Sequence, residues 1–241
     1  MFNSLLTTEG LIGLVTLVLM EIVLGIDNII FIAILCGFLP GKEQQRKARI
    51  IGLSLALSMR ILLLFTITWI VHLTHPLVTI LSFDISGRDL ILFSGGVFLM
   101  YKTAQEIYFK LRGNEGDHKP KERQLTVSQA IIQITIIDIV FSFDSILTAV
   151  GLSNDIVIMV TAVTISMIVM LFFAGYVTEF VNRYPTIKML ALAFLVCIGL
   201  LLFLESIHIH IDKGYVYSAL GFSLIVELLN IRLRRVKHQS I

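Results

Sequence analysis

Two stretches of this 241-residue chain set carboxylic acids inside otherwise apolar runs: "EIVLGIDNII", Glu21 to Ile30, and "DIVFSFDSIL", Asp138 to Leu147. Each reads acid, Ile-Val, three residues, Asp, a small polar residue, Ile. Glu21, Asp27 and Asn28 in the first stretch, and Asp138, Ser142, Asp144 and Ser145 in the second, offer only oxygen donors. Carboxylates, an amide and hydroxyls suit a hard divalent cation such as Mn2+, Mg2+ or Ca2+ better than zinc or copper, which favour imidazole and thiolate. Four carboxylates carry more charge than one such ion cancels. Three resolutions are open: some acids are protonated, Arg60 compensates, or two ions bind. Carboxylates held close together resist ionising together, so proton exchange coupled to metal movement is a reasonable expectation.

The segments that must position these acids are built for lipid. Hydrophobic residues make up 56% of the chain and charged residues 15%, with a mean hydropathy of +0.91, far from an ordinary soluble domain with about a quarter charged. An all-α polytopic membrane protein is predicted. Runs able to cross roughly 30 Å of hydrocarbon lie at Leu11 to Leu39, Ile50 to Val71, Leu90 to Phe109, Val127 to Leu152, Ile156 to Val181, Ile187 to Leu204 and Tyr215 to Leu229. These seven spans put fifteen lysines and arginines on one side and only Arg88 and Lys213 on the other. By the positive-inside rule the amino terminus is outside and the carboxyl terminus cytoplasmic. No basic n-region precedes the first run, so it is expected to stay in the membrane uncleaved. Cys36 and Cys197 sit in apolar runs without CxxC spacing and read as buried hydrophobes.

The acidic stretches fall in spans one and four. Three spans separate them, so they enter the membrane in opposite directions, as an inverted repeat of three plus three spans requires. Repeat one is then 1–111, a cytoplasmic linker 112–126, repeat two 127–206, and 207–241 a seventh span with a basic tail. In an unbroken helix, residues six apart point about 120° away from each other. A break at Gly25 and at Ser142, between the paired acids, would turn both carboxylates toward one cavity. An acid at the bilayer centre costs about 2.5 to 3.5 kcal/mol on insertion scales, so two matched pairs favour function over helix glue.

At these residues the chain resembles the TerC family of integral membrane proteins. The resemblance rests on "MEIVLGIDNIIF", "DIVFSFDSILTAVGLS", Arg60 in "LSMRILLL", and a sixth span "KMLALAFLVCIGLLLFLES" from Lys188 to Ser206. It implies an exporter of Mn2+ in the cytoplasmic membrane, with Glu21, Asp27, Asn28, Asp138, Ser142, Asp144 and Ser145 around the ion and Arg60 as countercharge. Mn2+ would be cargo, with no permanently bound cofactor.

Two alternatives stand beside it: a membrane partner that moves nothing and uses the acids to hold helices, and an intramembrane hydrolase with an acid dyad. No GxGD signature supports the hydrolase. No P-loop, GxSxG or HExxH motif is present, so ATP-driven transport and those enzyme classes are not expected. The tail "RLRRVKHQSI" suits anionic lipid rather than nucleic acid. His72, His75 and "HIHID", His208 to Asp212, read as outer interfacial residues, with metal capture as the alternative. Glu227, with Asn230 in span seven, is a functional candidate as an acid well inside a span, with packing or gating as the equal alternative because span seven lies outside the repeat.

Overall fold

A computed structural model describes residues 7–66, 76–80, 83–112, 125–152 and 155–239. Helices dominate: α1 (Thr8–Leu24), α2 (Ile26–Cys36), α3 (Lys42–Phe65), α4 (Gly87–Arg112), α5 (Val127–Leu152), α6 (Ile156–Arg183), α7 (Pro185–Ser206) and α8 (Lys213–Gln239). A short antiparallel hairpin, β1 (Pro76–Ile80) and β2 (Phe83–Ser86), precedes α4. The chain is an all-α polytopic membrane protein apart from that hairpin. Helices α1 and α2 together make one candidate span, Thr8–Cys36, and α3, α5, α6, α7 and α8 supply five more. Helix α4 has the length of a span but is not among these six. Its second half, "YKTAQEIYFKLR", is punctuated by charge, which dilutes the apolar run predicted there.

Local chemistry sets the helix starts. Thr7 Oγ1 accepts Gly10 N–H at 3.1 Å to cap α1. Ser86 and Asp89 cap α4 reciprocally: Asp89 N–H donates to Ser86 Oγ at 3.2 Å, while Ser86 N–H donates to Asp89 Oδ2 at 2.8 Å. Thr126 and Gln129 repeat the device at α5, with bonds of 3.1 and 3.2 Å. Pro185 opens α7, where its missing N–H costs nothing.

The chain divides into two compact units, Met1–Ile91 with Lys121–Phe180, and Leu92–Pro120 with Val181–Ile241. The first contains spans one, two, four and five; the second contains spans three, six and seven. In the first unit, α3 packs along α5 through Gly52, where a Cβ would meet Ile134 at 3.1 Å. In the second, Gly96 of α4 and Gly199 of α7 face one another: a Cβ on Gly96 would stand 2.7 Å from Gly199 O, and one on Gly199 would stand 3.1 Å from Gly96 O. The reciprocity is that of small residues letting two helix backbones approach. Lys110 Nζ fastens the far end of α4 by donating to Pro185 O at 2.8 Å.

Burial recurs between the halves. In span two Gly52, Leu53, Ala56, Arg60 and Leu64 are buried; in span five Ala162, Val163, Ser166, Met170 and Ala174 are buried at the same mutual spacing. Leu92, Gly96 and Leu99 of span three correspond likewise to Leu195, Gly199 and Leu202 of span six.

Gly96→Ala is expected to destabilise the protein by roughly 1–3 kcal/mol, because the added methyl meets backbone that cannot step aside. Gly221→Ala, in open space on α8, should be neutral or gain up to about 1 kcal/mol in helix propensity. Thermal unfolding of the two variants in one detergent separates these outcomes.

Candidate functional site

Span one breaks where the sequence predicts. Helix α1 ends at Leu24, Gly25 stands between, and α2 starts at Ile26. The Gly25 N–H turns to Ile22 O at 3.2 Å, so Glu21 O loses the partner it would have in a continuous helix. The break sits between Glu21 and Asp27, both buried.

Span four departs from expectation, since α5 runs unbroken through Ser142. Serine, unlike glycine, has a Cβ and fits a helix, and its hydroxyl finds a partner one turn back, donating to Asp138 Oδ2 at 3.1 Å. Residues four and seven apart share a helix face, so Asp138, Ser142 and Ser145 line one side without unwinding. Asp144 is on the same helix, but its side chain lies outside the described residues.

At the centre is Arg60, carried by α3 and 2% exposed. Its Nη1 donates to Glu21 Oε2 at 2.8 Å and its Nη2 to Asp138 Oδ1 at 2.9 Å. Nε completes a forked contact with Asp138 Oδ1 and Oδ2, both at 3.3 Å. The guanidinium thus holds one acid from each acidic stretch, with the planar, bidentate geometry that arginine supplies and lysine does not. Asn28 Nδ2 donates to Asp138 Oδ1 at 3.3 Å, joining α2 to α5. Ser145 donates to Ser142 O at 3.3 Å and lies beside Glu21. The negative field of Asp27 also reaches Arg60.

The predicted residues therefore converge. Glu21, Asp27, Asn28, Arg60, Asp138, Ser142 and Ser145 are each at most 5% exposed. With all three groups ionised, one guanidinium between Glu21 and Asp138 leaves a net negative charge of one. A buried acceptor remains as well: Asn28 Oδ1 has no hydrogen-bond donor among the described residues. That oxygen is the kind of atom a cation satisfies. Among the described residues no group of three or more His, Cys, Asp or Glu is drawn together closely enough to hold a metal ion, because Arg60 stands between Glu21 and Asp138.

Sequence reasoning missed Met170. Its Sδ, on the fully buried side of α6, packs so closely on Gly25 that a Cβ there would clash with it. A signal for it was present: small residues four apart lead to Arg60 in span two, Gly52 and Ala56, and to Met170 in span five, Ala162 and Ser166. Between α7 and α8 His208 adopts a left-handed backbone, φ 63°, and His210 Nδ1 lies 3.1 Å from His208 O. His72 and His75 lie outside the described residues, as does most of the 112–126 linker.

These features define a multi-pass membrane protein with a buried, charge-bridged polar site between helices. The chain belongs to the family described as "Integral membrane protein TerC family", whose model matches residues 6–240. It is 49% identical to a "UPF0053 protein" of Haemophilus influenzae over 98% of this chain and 99% of that protein. It is 49% identical to "UPF0053 inner membrane protein YgdQ" of Escherichia coli K12 over 91% of this chain and 92% of that one. A third relative, "UPF0053 inner membrane protein YoaE" of the same organism, is 49% identical over 95% of this chain, which covers 44% of its length. With these relatives and its apolar helices, the protein is a multi-pass inner membrane protein. No solved structure matches it.

Replacing Arg60 by Gln should be severe, since it leaves Glu21 and Asp138 buried together without a countercharge; breaking such a pair costs about 3–5 kcal/mol. Arg60→Gln combined with Asp138→Asn should recover part of that loss. A double-mutant cycle on thermal stability is expected to give a coupling above about 1 kcal/mol; additive effects would remove Arg60 from its central position.

Proposed function

We propose that the protein is a secondary transporter that moves a divalent metal cation, Mn2+ in the first instance, out across the inner membrane, and that it is not an enzyme. The observation that carries the reading is the site itself: acids from spans one and four share one arginine, beside a buried amide oxygen with no donor among the described residues. Helix glue alone would be served by a neutral, fully satisfied pairing; an acidic cluster with a spare hard oxygen has affinity for a cation.

In this reading Asp27, Asn28 and Asp144 supply the first ligands. Glu21 and Asp138 become available as Arg60 loosens its hold, and Ser142 and Ser145 position them. Arg60 stands in for the ion when the ion is gone, keeping the acids from repelling one another. Four carboxylates and one guanidinium are three charges short of neutrality when the ion is absent and one short when it is bound, so entry of the ion displaces protons from the acids, and proton movement opposite to the ion is part of the proposal.

The architecture proposed around the site is an inverted repeat of three plus three spans with α8 added. It is supported by the recurring burial in spans two and five and in three and six, and by the facing Gly96 and Gly199. Access would alternate as the repeats rock about the site, with the amino terminus outside and the basic tail cytoplasmic.

The test is flux in liposomes holding a divalent-sensitive dye and a pH indicator. The native chain should take up Mn2+ with an opposing proton signal, and Asp27→Asn and Asp144→Asn should each abolish it while remaining folded in the membrane. Folded native protein that moves no divalent ion would favour the non-transporting membrane partner.

A further inference from the structure

The break at Gly25 has two unlike donor atoms beside it. A Cβ on Gly25 would clash with Met170 Sδ and would stand 2.9 Å from Glu21 O. That carbonyl is the one released from the Gly25 N–H. A thioether and a backbone oxygen therefore both border the break at Gly25, between Glu21 and Asp27 in sequence and inside the same unit as Arg60 and Asp138.

The position of Met170 adds a second observation. Its place in span five corresponds to that of Arg60 in span two, each following two small buried residues at four-residue spacing and each preceding another buried residue four further on. Arg60 sends its head group to the acids. Its counterpart sends a sulfur to the helix break beside them.

We infer that Met170 supplies the one soft donor of the ion site, beside the hard Glu21 carbonyl, and sets its preference for a transition-metal divalent cation over Mg2+ and Ca2+. This rests on the transport reading above. An all-oxygen cage discriminates poorly among Mn2+, Mg2+ and Ca2+, since all three accept carboxylate and carbonyl oxygen. A thioether is a poor ligand for the two hard ions and an acceptable one for a softer transition metal, so it takes a coordination position from the first group and not the second. Packing alone does not require sulfur, because leucine fills a methionine's volume at small cost.

The test uses the full chain in liposomes, with Mn2+, Ca2+ and Mg2+ fluxes measured for the native protein, Met170→Leu and Met170→Gln. Both variants are expected to transport, with the Mn2+ to Ca2+ flux ratio falling about tenfold in each, the equivalent of one step in binding preference. Soft Cd2+ should inhibit Mn2+ flux less in the leucine variant than in the native chain. Met170→Gln, which keeps the length and offers an amide oxygen, decides the matter if the leucine variant does not fold. A native ratio and native Cd2+ inhibition in a transporting variant would overturn the assignment of Met170 and leave the transport reading standing. A native protein that moves no divalent ion would overturn both.

Discussion

Everything in the first unit is arranged around one buried guanidinium. Arg60 cannot be removed from water without partners, since an isolated charge in a low-dielectric interior is prohibitive. Its partners therefore have to arrive from elsewhere: Glu21 from α1 and Asp138 from α5. The need to bring two carboxylates within 3 Å of one guanidinium fixes the approach of α1, α3 and α5. Gly52 lets α3 lie close enough to Ile134 of α5 for the arginine to reach, and Asn28 adds a bond from α2 to the same Asp138. Mutual dependence holds the site together without fully satisfying it, because Asn28 Oδ1 finds no donor among the described residues.

Much of this was legible in the sequence, for reasons that are specific. Apolar runs of span length are hard to mistake, and acids within them stand out against their surroundings. The break at Gly25 could be read because glycine between two buried acids has little other reason to be there. The unbroken helix at Ser142 could not, since the spacing of Asp138 and Asp144 is the same as that of Glu21 and Asp27. What differs is the hydroxyl, which bonds back to Asp138 and lets acid and serine share a face of an intact helix. Arg60 was recognisable as a countercharge, but not which two of the four acids it would take; that choice depends on the packing of α3 against α5. Met170 was invisible because methionine in an apolar helix is commonplace, and only the matched spacing of small residues sets it apart.

The two halves are alike in pattern and unlike in chemistry. Span one is broken at glycine, and span four is whole. The buried ladder of span two reaches a cation at Arg60, and that of span five a thioether at Met170. In the proposed repeat, corresponding backbones carry different head groups, so the two halves would take different work.

That difference bears on how such a frame could move an ion. In a secondary transporter the direction of net movement is set by the gradients of ion and coupled proton, not by the protein. What the protein sets is the relative free energy of its two end states, and a ligand can shift these only through contacts that differ between them. A perfectly symmetric cage would offer an ion the same contacts in either state and leave them balanced. Here the hold of Arg60 on Glu21 and Asp138, and the contact of Met170 with Gly25, are two unequal restraints, each joining the two halves. An ion that competes with the first and coordinates the second would unbalance the two states in a definite sense. In the proposed cycle, emptying the site returns the acids to Arg60 and resets it.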